Sequence, residues 1–135
     1  MEIAKLKKIA YGSHGLSLLL AVILIILAFI TWSRWIYTSI IYLSIGIVQL
    51  CFSGTLLVRL RRKVTKKEIG VVNVQHSWWI LSIALASAVI IPAPFFRVSP
   101  IIITYFATSF AILWLILGSI NLYIFVRETG VSLVV

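Results

Sequence analysis

Two histidines are the side chains of this sequence whose type and spacing best suit chemistry. His14 and His76 lie 62 residues apart, each just inside the start of a long apolar stretch. If the two stretches cross a membrane in the same direction, the imidazoles lie at similar depth, and facing imidazoles can ligate a haem iron axially. Haem b is therefore the one cofactor that the sequence suggests, with His14 and His76 as its ligands. The simpler alternative is no cofactor and two structural histidines near the membrane surface.

Other residue types show no catalytic pattern. Serines are numerous, but neither histidine has an acidic residue near it in sequence, and the chain has no glycine-rich phosphate loop. The single cysteine, Cys51, cannot form an intrachain disulfide, and we interpret it as a small apolar residue within the membrane. We therefore expect no catalytic residues, no metal site and no catalysis by this chain alone, although it could belong to an enzyme complex.

The segment RLRRKVTKKE, residues 59–68, is the second chemical feature. It holds half of the positive charge of a chain in which only 11% of residues are charged. No aromatic residue interrupts it for base stacking, so any contact with nucleic acid would be electrostatic and non-specific. Basic residues beside a membrane attract anionic headgroups by about 1 kcal/mol each. We predict contact with anionic lipid or another polyanion by Arg59, Arg61, Arg62, Lys63, Lys66 and Lys67.

Four uncharged stretches separate the charged residues. They contain 25, 24, 28 and 29 residues, at 9–33, 35–58, 69–96 and 98–126. A helix needs about 20 apolar residues to cross the hydrocarbon core of a bilayer. The sequence thus predicts an all-α integral membrane protein with Asn73 as the N-cap of its third helix. A single domain, 1–135, would contain four transmembrane helices at approximately 13–31, 36–58, 74–92 and 101–126.

The distribution of positive charge predicts the orientation. Ten of the twelve basic residues precede the first helix, lie between the second and third, or follow the fourth; the exceptions are Arg34 and Arg97. Because cytoplasmic loops are enriched in Lys and Arg, we expect two hairpins with both termini and the 59–68 turn in the cytoplasm. The two histidines and the two outer arginines are separated by similar numbers of residues, which would suit an internal repeat. Whether one hairpin is a duplicate of the other is left open.

Small and polar residues within the spans predict helix–helix contacts. Gly46, Gln49 and Ser53 share one face of the second helix by its 3.6-residue period. A glutamine amide near the bilayer midplane is costly in lipid, so Gln49 should face another helix. Ala107 and Ala111 have the spacing of closely packed small residues, and Asn121 should point inward as Gln49 does. These contacts could lie within the bundle, against another subunit or against a second copy of the chain.

The predicted spans contain no Asp, Glu, Lys or Arg. Charged residues inside a membrane mark ion paths and proton relays, so their absence counts against a transporter. The small multidrug exporters have a similar length and four helices, but they depend on a glutamate in the first helix. This sequence has none there, and their mechanism is not carried over.

Three functions remain open from the sequence. The first is a non-enzymatic structural or accessory subunit of a larger assembly in the cell membrane, with lipid and other subunits as partners. The second is a structural protein of a virion membrane or filament whose basic face meets nucleic acid. In architecture, two hydrophobic hairpins with a basic end resemble the capsid proteins of spindle-shaped archaeal viruses, which have one such hairpin, although no motif is shared. The third is a small transporter or a haem-binding electron carrier.

Overall fold

The computed structural model describes residues 2–62, 65–92 and 101–133, and these form four long α-helices. The helices are α1 (Ile3–Thr31), α2 (Ile36–Leu60), α3 (Lys66–Ile90) and α4 (Ile101–Thr129). All four are long and apolar enough to cross a membrane. The expectation of an all-helical, multi-pass membrane protein is confirmed at this level.

Two helices begin well before the predicted spans. α1 starts at Ile3 rather than near residue 13, and α3 starts at Lys66 rather than near residue 74. The prediction that Asn73 is an N-cap is wrong, because Thr65 takes that position. The Thr65 hydroxyl accepts from the Glu68 backbone N–H, and the Glu68 carboxylate accepts from the Thr65 N–H. This capping box begins a basic turn of helix that the apolar pattern alone does not mark.

The helices pack unequally against one another. α1 contacts α2 along most of its length, and α3 does the same with α4. Smaller contact areas join α2 to α3, α1 to α4, and α1 to α3 across the bundle. Gly46 sits at a tight point of the first pair, where a Cβ would come within 3.1 Å of the Ala21 carbonyl oxygen and closer still to the Ile25 side chain. A glycine there lets α1 and α2 approach closely.

The buried residues form two apolar clusters at different heights. We call the end that carries Lys7, Arg62 and Arg127 the basic end of the bundle. The cluster near this end consists of Leu6, Ala10, Leu56, Leu60, Ile69, Val72, Val74, Leu122, Phe125 and Val131. The cluster toward the opposite end consists of Leu20, Ala21, Leu24, Ala28, Tyr42, Ile80, Ala84, Ile91, Ala107, Phe110 and Trp114. Most of the buried polar side chains lie between the two clusters.

Candidate functional site

A band of buried polar side chains crosses the bundle between the two apolar clusters. We call it the polar layer; it comprises Ser13, His14, Ser17, Gln49, Ser53, Asn73, His76, Ser77 and Asn121. His14 follows Lys8 by six residues and Asn121 precedes Arg127 by six, which places both about 9 Å along their helices from a charge. The layer therefore lies inside the predicted hydrocarbon region, nearer to the basic end.

Asn121 is the residue that joins the most helices. Its Oδ1 accepts a hydrogen bond from the Ser13 hydroxyl at 2.9 Å. Its Nδ2 lies 2.9 Å from both the His14 Nε2 and the Ser77 hydroxyl, and 3.4 Å from the Asn73 Oδ1. An amide NH₂ has two hydrogens, so the two short contacts take precedence over the third. One α4 side chain thus bonds to α1 and to α3 at the same level.

His14 is almost fully buried and uses one ring nitrogen. Because the Asn121 Nδ2 can only donate, the His14 Nε2 accepts, and its Nδ1 carries the proton. That Nδ1 is buried without a hydrogen-bond partner. Beside the ring is a cavity of about 10 Å³, lined by Ser13, His14, Ser17, Ile80, Leu117 and Gly118.

His76 is fully buried on α3 and faces a different partner. The Arg59 Nη1, from α2, lies 3.4 Å from its Nε2, so this nitrogen also accepts. The His76 Nδ1 lies near the Phe52 backbone but has no hydrogen bond of good geometry. The Trp79 ring packs edge-on against the imidazole at 4.9 Å between centroids. Arg59 therefore reaches from the basic end into the layer.

A second set of contacts joins α1, α2 and α4 just below Asn121. The Ser53 hydroxyl donates to the Ser17 hydroxyl at 3.1 Å, and the indole N–H of Trp114 donates to the Ser17 carbonyl oxygen at 3.2 Å. On α2, the Gln49 Nε2 donates to the Ile80 carbonyl oxygen at 3.4 Å, while its Oε1 is buried without a partner. The layer therefore includes contributions from all four helices.

The structure places the predicted contact residues in the interior of the chain. Gly46, Gln49, Ser53 and Asn121 are buried at contacts between helices, and Ala107 and Ala111 are buried with no exposed surface. Two features of the site were not predicted from the sequence. One is the inward position of Ser77, and the other is the contact between Arg59 and His76. Asn73 and Ser77 stand four residues apart with His76 between them, so the 3.6-residue period of α3 would have indicated one polar face.

The six basic residues of the 59–67 run occupy different environments. Arg59, Arg61, Arg62 and Lys67 are exposed and Lys66 is half-buried, whereas Lys63 lies outside the described residues. The Lys7 ammonium group donates to the Arg62 carbonyl oxygen at 3.2 Å, which ties the start of α1 to this turn. Arg59 differs from the rest because its guanidinium contacts His76. Cys51 is exposed on α2.

The two histidines suggested as haem ligands, His14 and His76, both lie in the polar layer, on α1 and α3. Each Nε2, which would ligate the iron, is already in contact with Asn121 or Arg59. The cavity beside His14 holds about one water molecule rather than a porphyrin. Within the described residues, no three His, Cys, Asp or Glu side chains come together as a metal site.

The hydrogen bonds of the polar layer can fix the rotation and the axial position of each helix. Its imidazoles are groups that can exchange protons. Within 2–62, 65–92 and 101–133, its ionisable members are His14 and His76, with Arg59 at the edge. The comparison with known proteins found no matching family, no matching curated protein and no matching solved structure.

Proposed function

We propose that this protein is a non-enzymatic, multi-pass membrane protein that acts as a structural or accessory subunit of a larger membrane assembly. The proposed topology is two hairpins, α1–α2 and α3–α4, with both termini and the 59–68 turn in the cytoplasm. The ten basic residues on that side support the orientation. The proposed partners are the lipid bilayer and other membrane subunits or further copies of this chain.

The observation that carries the proposal is a set of three glycines that are not packed against another helix of the described bundle. In the part of the chain that the structure describes, a Cβ added to Gly12 or Gly15 of α1, or to Gly54 of α2, would meet no atom within 4 Å. A glycine within a helix costs about 1 kcal/mol relative to alanine, and in membranes glycines are favoured where another helix approaches closely. Since no helix of this bundle occupies those positions, a helix of another chain is the natural occupant.

The polar groups on the outer surface support a purely embedded role. Four exposed hydroxyls donate to a carbonyl oxygen within their own helix, at 2.5–2.8 Å; they belong to Ser44, Thr55, Ser82 and Ser109. A hydroxyl that is satisfied in this way can face either lipid or an apolar helix at little cost. The described surface of the spans is therefore compatible with burial in a larger complex.

Native purification in a mild detergent, followed by identification of the proteins that accompany the chain, tests this function. We expect stable partners whose recovery falls at least several-fold in a Gly12→Leu, Gly54→Leu double variant. Ala86→Leu, which enlarges an exposed small residue on α3, is the matched control and should retain the partners. A chain that purifies alone, or partners that are lost equally in the control, would refute the proposal. Nucleic acid that is released by salt would favour the virion alternative instead.

The orientation is tested separately by cysteine labelling. In a Cys51→Ser background, a cysteine introduced beside Arg97 should react with an impermeant maleimide added outside intact cells. A cysteine introduced beside Lys63 should react only after the membrane is permeabilised. Both positions lie outside the described residues, and the reverse labelling pattern would overturn the proposed topology.

The buried histidines favour proton transfer as a second candidate function. An ionisable group inside a membrane is expensive and often marks a proton or ion path, and here two of them lie in one polar layer. Proteoliposomes loaded with a pH-sensitive dye would show whether the protein dissipates an imposed pH gradient. Transport should fall in His14→Gln and His76→Gln variants that retain native helicity. An unchanged gradient with wild-type protein removes this candidate.

A further inference from the structure

An open groove lies on the outer surface of the bundle between α3 and α4, near the basic end. It has a volume of about 430 Å³, within the range of roughly 300–1,000 Å³ that is typical of small-molecule sites. Its wall consists of Trp78, Leu81, Ser119, Leu122, Tyr123, Val126, Arg127 and Leu133. Among the described residues, its lining includes no member of the polar layer and none of the basic residues that follow α2.

The groove is apolar at one end and polar at the other. Leu81, Leu122 and Val126 supply its apolar wall, while Arg127 lies at the last turn of α4. The Arg127 Nη1 donates to the Tyr123 hydroxyl at 3.2 Å, and the guanidinium carbon lies 6.0 Å from the centre of the Tyr123 ring. A guanidinium has five N–H donors, so this contact leaves others for a ligand.

The C-terminal segment forms the outer wall. α4 ends where Gly130 takes a φ of 67°, a left-handed conformation that glycine adopts without strain. The chain then turns back, Val131 is buried, and the Leu133 carbonyl oxygen accepts a 2.8 Å hydrogen bond from the Trp78 indole. This bond holds Leu133 beside α3, so Leu133 adds to the wall that α3 and α4 provide.

We propose that this groove holds one acyl chain of an anionic phospholipid, whose phosphate binds Arg127. From Ser119 to Arg127 the groove extends eight residues along α4, or about 12 Å, close to the ~15 Å depth of one leaflet. An apolar interior below a single cation matches an amphiphile with a negative head. Ten of the twelve basic residues belong to segments that the sequence predicts to lie on this side of the membrane.

Native mass spectrometry of the purified full chain tests the site with dioleoyl phosphatidylglycerol as the probe. Phosphatidylcholine with the same chains is the neutral comparison, and inorganic phosphate tests for simple anion binding. We expect one phosphatidylglycerol to bind in preference to phosphatidylcholine. Arg127→Gln should weaken that binding about fivefold, the effect of one basic residue at a membrane surface, and Arg127→Lys should preserve most of it.

Matched variants separate a site from diffuse attraction. Arg61→Gln removes an exposed base of the 59–67 run, which contributes only to the diffuse attraction, and it should reduce binding clearly less than Arg127→Gln does. Ser119→Phe fills the deep end of the groove and should reduce binding, whereas Ser109→Phe, at an exposed serine farther along α4, should not. Equal losses in Arg61→Gln and Arg127→Gln would overturn the proposal. So would phosphate competition combined with full binding to Ser119→Phe, which would indicate an anion site without an acyl chain.

A measurement on the wild-type protein guards against misfolded variants. Phosphatidylglycerol with a photoreactive group near the end of one acyl chain should label Leu81, Ser119 or Leu122 in proteoliposomes. Labelling that is spread evenly over the exposed faces of α1 and α2 would contradict a defined site. The outcome does not depend on whether the protein has partner subunits, so this test and that of the accessory role fail independently.

Discussion

The polar layer and the apolar cluster toward the opposite end both lie in the interior of the bundle, but they hold the helices together differently. The apolar cluster contains small residues such as Ala21, Ala84 and Ala107 around the large rings of Tyr42 and Trp114. In lipid, apolar contacts give little beyond packing, because acyl chains are as apolar as the side chains that they replace. Polar groups in lipid lose their hydrogen bonds if a helix rotates. The polar layer therefore restricts the rotation and the axial position of each helix more strictly than the apolar cluster does.

The contrast predicts which region tolerates change. An apolar contact that loosens is replaced by lipid or by a neighbouring side chain, at a cost that depends on shape. A polar contact that breaks leaves a donor or acceptor without a partner in a medium that offers none. Substitutions that remove short hydrogen bonds in the polar layer should therefore be more destabilising than substitutions of similar size in the apolar cluster.

The largest effect is expected for Asn121→Leu. This change removes the bonds to Ser13, His14 and Ser77 together, and although Ser13 keeps a contact with the Ala10 carbonyl oxygen, the buried His14 Nε2 loses its donor, for a loss of about 2–4 kcal/mol. Reversible unfolding in mixed micelles would measure it. Ile120→Leu, at the adjacent exposed position, is the control and should be nearly neutral. If both variants unfold at the same detergent fraction, the polar layer does not stabilise the bundle.

A moderate effect is expected for Ala107→Leu in the apolar cluster. Ala107 has no exposed surface, and extra methylenes in a packed core usually cost about 1–3 kcal/mol. The control is Thr108→Leu, one position along α4 and only half-buried. Unfolding in the same micelles should rank Ala107→Leu below Asn121→Leu in severity. The opposite order would mean that packing, and not hydrogen bonding, dominates the stability of the bundle.

A small effect is expected for Gln49→Leu. Gln49 is buried against α3, but its one hydrogen bond is long, at 3.4 Å, and its Oε1 has no partner. Leucine removes the unsatisfied oxygen along with the weak bond, so the net change should stay within about 1 kcal/mol in either direction. Gln49→Glu is the informative companion, because a carboxylate cannot donate to the Ile80 carbonyl oxygen and should be clearly worse. A large loss in Gln49→Leu would indicate a stronger contact than the structure shows.

The number and type of helices could be predicted from the sequence because a membrane requires about 20 apolar residues per crossing. The inward orientation expected for Gln49 and Asn121 followed from the cost of an amide in lipid. The assignment of Asn73 as an N-cap failed because it placed the start of the third helix near residue 74, within the uncharged stretch, whereas the Thr65 capping box begins α3 at Lys66 and includes charged residues in its first turn. The partners of Asn121 and Arg59 could not be predicted, because they depend on how far each helix is rotated about its axis.

The smallest effect is expected for Arg-to-Lys substitutions in the 59–67 run, where Arg59 should respond differently from Arg61 and Arg62. Arg61 and Arg62 are exposed, so their guanidinium groups contribute to a diffuse positive field that salt screens over about 8 Å. Arg61→Lys with Arg62→Lys should leave vesicle binding unchanged at each salt concentration, since lysine carries the same charge. Arg59→Lys should also preserve vesicle binding but lower stability by a few tenths of a kcal/mol, because an ammonium lacks the planar fork that reaches the His76 ring. A salt series with phosphatidylglycerol vesicles, run beside unfolding in micelles, measures both. If the Arg61 and Arg62 swaps weaken binding while Arg59→Lys does not alter stability, then Arg61 and Arg62 make specific contacts with the vesicle and Arg59 does not stabilise the polar layer.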